Sequence, residues 1–282
     1  MLESLRNMKP WAKVLCLFGL WMLIGGLVIA FTAAGMLTGA DAESKTMQAV
    51  SQLIMFLGTA VLYVWLFEGQ PLTHLKVAVH GRQWLNILTA LVIMVLLLPV
   101  IDIVAQWNDS WNLGMLEGKL RMITDMSKQL MEGWMSDTTV WGFVSNLIVM
   151  AVVPAICEEV FFRGALQQSL GKWFRNSHVA IIVTALIFSL VHGDIYGFVP
   201  RVIMGVVLGY LFHYGGSIWV NIAAHCLNNA IIVVIYFLNG KGVCDIDPEH
   251  LPEVGTFWAL AMTGAAVLVF YVTMLMRRKA KN

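Results

Sequence analysis

Charge is the scarcest property of this chain: only 12% of its 282 residues are Asp, Glu, Lys or Arg, whereas 59% are hydrophobic. Soluble domains carry about one-quarter charged residues, so this sequence has too little charge to cover an ordinary water-facing surface. The formal net charge of +1 also argues against a polyanionic partner such as nucleic acid. Together with a mean hydropathy of +0.76, these numbers indicate a polytopic membrane protein.

Signatures of several classes of membrane protease are also missing from the sequence. It contains no His-Glu-x-x-His zinc helix and no Gly-x-Ser-x-Gly elbow. Residues 191–194 (Val-His-Gly-Asp) lack the first glycine of the Gly-x-Gly-Asp motif of aspartyl intramembrane proteases. No Cys-x-x-Cys pair occurs, so neither a disulfide framework nor a cysteine zinc site is predicted. The cysteines are Cys16, Cys157, Cys226 and Cys244.

Apolar stretches make up most of the chain, and a helix needs about 20 residues to cross the hydrocarbon core of a bilayer. These stretches predict an all-α, polytopic transmembrane helix bundle of about eight spans, forming a single membrane-embedded domain over residues 1–282. The predicted spans lie near residues 11–37, 47–67, 84–106, 144–170, 178–193, 197–214, 217–238 and 256–276.

Lysines and arginines fall mainly on one side of these alternating spans, the side of the two termini. The positive-inside rule therefore predicts that both termini are cytoplasmic, and we expect an integral protein of a bacterial inner (plasma) membrane. The basic residues Arg6, Lys9 and Lys13 before the first stretch would also suit a signal peptide. That stretch is longer than the roughly 7–15 apolar residues of a signal peptide, so a retained first helix is preferred.

The predicted outer loop at residues 107–139 is too long for a simple connection. Within it, apolar residues recur at helical spacing between charged ones, which predicts an amphipathic helix. Two placements remain open: on the outer leaflet, or packed on the outer ends of the bundle. The apolar residues are Leu116, Leu120, Ile123, Met126, Leu130 and Trp134.

Three polar clusters interrupt the later spans. An ionisable group at bilayer depth costs on the order of 2.5–3.5 kcal/mol, so such a group is a functional candidate by default. The clusters are Glu158-Glu159-Val160-Phe161-Phe162-Arg163, Phe188-Ser189-Leu190-Val191-His192 and His225-Cys226-Leu227-Asn228-Asn229.

Depth decides whether these clusters can meet. If the fourth helix continues to Leu170, with Gly171 as its stop, Glu158 lies about 18 Å from the cytoplasmic end at 1.5 Å per residue. By the same rise, His225 lies about 13 Å deep and His192 about 22 Å deep. The three groups then share one middle layer of the bundle.

Spacing within the clusters suggests their chemistry. Glu159 and Arg163 are four residues apart and can pair on one helix face, whereas Glu158 is rotated by about 100° and points elsewhere. His225 and Asn229 are also four apart. One glutamate, two histidines and an amide are sufficient to activate water and stabilise an oxyanion.

The three motifs resemble those of the CPBP family, which joins the type II CAAX prenyl endopeptidases with bacterial Abi, or bacteriocin-processing, membrane proteases. The resemblance rests on Glu158-Glu159-xxx-Arg163, Phe188-xxx-His192 and His225-xxx-Asn229, and predicts a catalytic core over about residues 144–235. It implies an intramembrane endopeptidase acting on a membrane-associated peptide or protein in the lipid bilayer.

The resemblance also implies roles for these residues. Glu158 would be the general base, with His192 assisting it; His225 and Asn229 would stabilise the oxyanion; and Glu159 with Arg163 would support the site. We favour a mechanism without a cofactor, because Asn229 is a better oxyanion donor than zinc ligand. The alternative is a zinc ion held by Glu158, His192 and His225 with one open position.

A rival class of function uses the same polar layer without catalysis. The chain would then be a membrane immunity or scaffold factor, or a transporter with an ion path through that layer. Transporters often show paired broken helices in two repeated halves, and no such pairing is visible in the sequence.

Overall fold

The computed structural model describes residues 2–37, 44–79, 83–248 and 254–279, and within these ranges the chain is helical, with no β-strand. The all-α fold predicted from composition and periodicity is therefore confirmed. The helices are α1 Leu2–Arg6, α2 Pro10–Leu37, α3 Lys45–Phe67, α4 Pro71–His74, α5 Gln83–Asp109, α6 Glu117–Met135, α7 Val140–Phe174, α8 Ser177–Leu190, α9 Phe198–Gly215, α10 Ile218–Gly240 and α11 Thr256–Lys279.

Six helices of the described chain are long and apolar enough to cross a membrane: α2, α3, α5, α7, α9 and α10. The other two predicted spans correspond to α8 and α11. The 14-residue α8 is about 21 Å long at 1.5 Å per residue, which is shorter than the roughly 30 Å hydrocarbon core. The chain therefore turns back at residues 191–197, before α8 has crossed a full bilayer thickness.

Helix α7 is the longest element and carries the first polar cluster near its middle. It runs through Pro154, where a proline removes one backbone donor, and contains wide π-helical turns at Leu147–Val152 and Val160–Gln167. This helix therefore continues past Glu158, as the shared depth of the three polar clusters requires. Its predicted end was wrong, because Gly171 lies inside the helix beside Ala180 and the left-handed residue Arg175 follows the last turn.

The predicted amphipathic helix in the 107–139 loop is present as α6. Its apolar residues Met122, Ile123 and Met126 point away from the bundle, whereas Thr124 is buried on the opposite side. Helix α6 contacts α10 and the start of α7, so it lies across the end of the bundle at which α5 ends.

Two apolar cores hold the bundle together. The first lies along α7, where Phe161 and Phe162 pack on Phe56 of α3 and Phe161 also packs on Trp21 of α2. The second joins α5, α9, α10 and α11. Since α7 also packs against α10, the middle of α7 is the place where the two cores meet.

The glycine pair in α9 allows the closest helix contact, as its Gly-xxx-Gly spacing predicts. A Cβ at Gly205 would lie 2.9 Å from the Cβ of Ala185 on α8, and one at Gly209 would lie 2.7 Å from Ile181. The same glycines expose their carbonyl groups to α7: Arg163 donates to Gly205 at 3.2 Å and Gln167 donates to Gly209 at 3.1 Å. This packing fixes α7 and α8 relative to α9.

Candidate active site

A fully buried carboxylate lies at the centre of the site. Glu159 and Arg163 both have no exposed side-chain surface, and Nη1 of Arg163 donates to Oε1 of Glu159 at 2.9 Å. The same oxygen accepts from Nδ1 of His225 on α10, also at 2.9 Å. The i,i+4 pair predicted within α7 is therefore present, and it also holds a histidine from a second helix.

The neighbouring carboxylate, Glu158, lies on the other side of the same imidazole. Its Oε2 is 3.9 Å from Nε2 of His225, and both side chains are at least nine-tenths buried. Because Nδ1 of His225 bonds to Glu159, the ring presents Nε2 towards Glu158. Adjacent glutamates thus contact the two nitrogens of one histidine, since their side chains leave α7 in different directions.

His192 reaches the site from the turn that follows α8. Its Nδ1 donates to the carbonyl of Phe188 at 2.7 Å, and its exposed ring packs on the Phe188 ring at 4.8 Å between centroids. The Phe188 ring also contacts His225, at 6.1 Å. The Phe188 ring thus contacts both histidines, and Glu158 lies beside His225, so the three groups share one region.

Asn229 lies one helical turn beyond His225 on α10 and is half-buried. Its Oδ1 accepts from the side-chain amide of Asn228 at 3.2 Å. This bond leaves the NH₂ group of Asn229 as a donor. Spacing alone assigned no role to Asn228, although it lies within the third polar cluster of the sequence.

Two further contacts of the site were not predicted. The guanidinium of Arg163 lies 4.9 Å from the centroid of the Phe188 ring and donates to the carbonyl of Gly205. The only sequence signal for them was the Gly-xxx-Gly spacing in α9, which allows a close approach without saying which side chain uses it.

The zinc alternative considered from sequence names three ligands, Glu158, His192 and His225. Among the residues that the structure describes, no three His, Cys, Asp or Glu side chains lie together in a group that could hold a metal ion. Nδ1 of His225 and Nδ1 of His192 bond to Glu159 and Phe188, and Nε2 of each ring remains, as it also does in a histidine that binds a metal through Nε2. No step of the chemistry below is derived through a metal.

The fold and this network define a class: an integral, polytopic helical protein with a buried carboxylate–histidine site inside its bundle. Residues 140–231 match the family model of type II CAAX prenyl endopeptidase, Rce1-like. The resemblance indicated by the three motifs is thereby confirmed, and the matched segment contains all six site residues.

Two curated proteins are similar to parts of the chain. One is the Bacillus subtilis (strain 168) protein named "Putative membrane peptidase YdiL", 31% identical over 93 residues. The other is "UPF0177 protein YaiH" of Lactococcus lactis subsp. lactis (strain IL1403), 33% identical over 89 residues. The matches cover 32% and 30% of this chain and 36% of each relative. No solved structure gives a significant match.

Proposed function

We propose that this protein is an intramembrane endopeptidase that hydrolyses a peptide bond in a membrane-associated protein or peptide. The observation that carries the proposal is the bridging of two carboxylates by one histidine: His225 contacts Glu159 through Nδ1 and Glu158 through Nε2. Such a buried arrangement is costly inside a membrane, and it places one imidazole beside two carboxylates. The family match over residues 140–231 supports the same chemistry.

In the proposed reaction Glu158 removes a proton from water while the water oxygen attacks the scissile carbonyl carbon, and His192 orients that water. The developing oxyanion accepts hydrogen bonds from Nε2 of His225 and from the amide of Asn229. The carbon–nitrogen bond then breaks, and Glu158 passes the proton to the leaving amine.

In this proposal His225 donates from both of its ring nitrogens during the reaction. With Glu158 and Glu159 ionised and Arg163 charged, the buried cluster has a net charge of −1. A proton on Nε2 of His225 makes the cluster neutral and supplies the donor that the oxyanion needs. Glu159 stabilises the resulting imidazolium through Nδ1, a role for which a buried carboxylate beside a histidine is well suited.

The location of the site supports a substrate that enters from the membrane, of the CAAX type or the bacteriocin type. We further propose an inner-membrane location with both termini cytoplasmic. Lys13, Glu68 and Lys172 meet at one end of the bundle, the end that the positive-inside rule predicts to be cytoplasmic. In a variant whose four native cysteines are replaced by serine, a cysteine introduced at Glu3 should react with a membrane-impermeant thiol reagent only in opened cells; reaction in intact cells would contradict this orientation.

Substitution of the proposed base tests the function. Glu158→Gln keeps the size of the side chain but removes the base, so cleavage should fall by at least about 10²-fold. Membrane and secreted peptides from cells with wild type and with Glu158→Gln should differ by peptides that only the wild type shortens. Glu132→Gln makes the same change on the exposed face of α6 and should leave that peptide set unaltered.

His192→Ala provides a second, independent loss of function. The endopeptidase proposal fails if both Glu158→Gln and His192→Ala cleave the same peptides as the wild type. Treatment of the purified protein with a chelator and metal analysis test the cofactor-free route: stoichiometric zinc, lost together with activity, would overturn that part.

A further inference from the structure

The position of His192 is not set by a regular helix. Helix α8 ends at Leu190, and the turn that follows contains Gly193 with a left-handed φ of +69°. The ring is exposed, and among the residues that the structure describes it hydrogen-bonds to the carbonyl of Phe188, within its own segment. The backbone of residues 191–197, here called the His192 turn, therefore decides where Nε2 of this histidine lies.

Asp194 fastens the His192 turn to two other helices. Its Oδ1 accepts from Oγ1 of Thr124 on α6 at 2.9 Å and from the backbone N–H of Tyr196 at 3.1 Å. Its Oδ2 accepts from Arg201 on α9 at 2.7 Å. These partners hold the carboxylate ionised: burial alone would raise its pKa, but the contacts with Arg201 and Thr124 lower the pKa of Asp194 below its ordinary value.

A buried amide holds the same turn from a third side. Asn108, near the end of α5, has no exposed surface. Its amide nitrogen donates to the carbonyl of Ile195 at 3.0 Å, and its oxygen accepts from the backbone N–H of Val199 at 2.7 Å. Ser189 closes the base of the turn with a bond to the Phe198 carbonyl at 2.7 Å.

Helix α6 makes two further contacts on this side of the bundle. Besides the bond from Thr124, its Arg121 lies over the ring of Tyr196 at 3.6 Å and pairs with Asp109 at 2.6 Å. Its apolar face is turned outwards, with Met122 and Met126 more than 60% exposed. The contacts of α6 with the His192 turn thus join an exposed surface helix to a residue of the active site.

We propose that Asp194, tied to Thr124 of α6, is a positioning residue that holds His192 in its reactive place. This inference rests on the proposed function, because a positioning role for Asp194 has meaning only if His192 takes part in the reaction. A displacement of about 1 Å in a catalytic group can cost about 10²-fold in rate. Release of α6 from Asp194 therefore lowers turnover without removing any group that touches the substrate.

The test uses three single variants of the full-length protein in lipid nanodiscs. Thr124→Val keeps the shape of the side chain but removes the donor to Asp194, whereas Thr124→Ser keeps the donor and loses a methyl group. Ser127→Ala is the matched control, because Ser127 is exposed and bonds only within α6, to Ile123. A packing defect would be worse in Thr124→Ser, and loss of the hydrogen bond would be worse in Thr124→Val.

Two readouts are measured on each variant. The first is turnover of a peptide that the wild type cleaves and Glu158→Gln leaves intact: Thr124→Val should lower kcat by about tenfold or more, with KM within about twofold. The second is the ring nitrogen signal of His192 in histidine-labelled protein, assigned by its loss in His192→Gln, which should shift or broaden in Thr124→Val. Thr124→Ser and Ser127→Ala should match the wild type in both.

The outcomes separate this inference from the function on which it rests. An unchanged His192 signal and kcat in Thr124→Val, or a larger effect in Thr124→Ser, would overturn the positioning role even if Glu158→Gln is inactive. A shifted signal in Thr124→Val, with no peptide cleaved by the wild type, would keep the positioning role and reject the peptidase. When Asp194→Ala is already present, adding Thr124→Val should cause no further loss of kcat, because either substitution alone removes the Thr124–Asp194 contact.

Discussion

The Glu159 carboxylate determines which nitrogen of His225 faces the site. With Nδ1 of the imidazole bonded to Glu159, Nε2 is directed towards Glu158. The same carboxylate neutralises Arg163, which is fully buried. Glu159 therefore has two roles: it neutralises the buried Arg163, and it orients His225. Substitutions can separate these roles.

Glu159→Gln should impair both stability and activity. The variant leaves the Arg163 guanidinium buried without a counter-charge, which costs about 3–5 kcal/mol for a broken buried pair. It also removes the charge that stabilises a protonated His225, so cleavage should fall by about 10²-fold or more. Thermal unfolding in detergent and turnover of the peptide identified with Glu158→Gln measure the two effects.

The double variant Glu159→Gln with Arg163→Met separates the two roles of Glu159. Removal of both charges should recover most of the lost stability, because a neutral replacement of a buried pair is often tolerated. Activity should stay low, because His225 still lacks its carboxylate. Full activity in the double variant would show that Glu159 serves only to neutralise Arg163.

At the scale of helices, the wide turns of α7 explain how one helix presents polar groups to several neighbours. A π-helical turn contains an extra residue, and such turns lie on both sides of Glu158, at Leu147–Val152 and Val160–Gln167. The second turn directs Arg163 and Gln167 to the carbonyls of Gly205 and Gly209 on α9. These bonds require that the backbone of α9 be uncovered, which is the part played by the two glycines.

Gly205→Ala tests this close approach of α8 and α9. The added Cβ would meet the Cβ of Ala185 at 2.9 Å and its Cα at 3.0 Å, so the helices must separate. Overpacking of this kind typically costs about 1–3 kcal/mol, and the midpoint of thermal unfolding should fall. Gly26→Ala is the control, since a Cβ there meets nothing within 4 Å and alanine favours a helix. A midpoint for Gly205→Ala equal to that of Gly26→Ala would contradict the packing.

At the scale of the molecule, the sequence predicted those features of the site that depend only on the position of a residue along its own helix. The pairing of Glu159 with Arg163 follows from i,i+4 spacing, and the shared depth of Glu158 and His225 follows from the rise per residue. The bond from His225 to Glu159 depends instead on how α10 is rotated against α7, and spacing within one helix contains no such information.

The sequence did not predict that α8 ends at Leu190, for a similar reason. The apolar stretch continues through Val191, so composition alone predicts a longer span. The turn is stabilised by Asn108 and Thr124, which precede it by more than sixty residues. Contacts between residues so far apart in the sequence depend on the tertiary fold. Nothing in the sequence around Asn108 or Thr124 distinguishes either from an ordinary surface or packing residue.

The end of the bundle opposite the His192 turn is joined by charges that should make the stability of the whole molecule depend on pH. There Glu68 pairs with Lys13 of α2 and Lys172 of α7, and His74 lies 3.8 Å away. Burial lowers the pKa of His74 to about 4. Burial alone would raise the pKa of Glu68, but Lys172, His74 and Lys13 bring that pKa below its ordinary value.

The signs of these shifts predict the direction of the pH effect. Between pH 6.5, the ordinary pKa of histidine, and about 4, the unfolded chain binds a proton on His74 that the folded chain does not, so stability is greatest above this window and falls through it. Glu68 adds a further loss below its ordinary pKa of 4.5. The midpoint of thermal unfolding, measured from pH 7.5 to 4, should therefore fall less steeply in His74→Gln than in the wild type. His178→Gln changes an exposed histidine and should keep the wild-type slope, whereas equal slopes in all three proteins would show that His74 is solvated in the folded state.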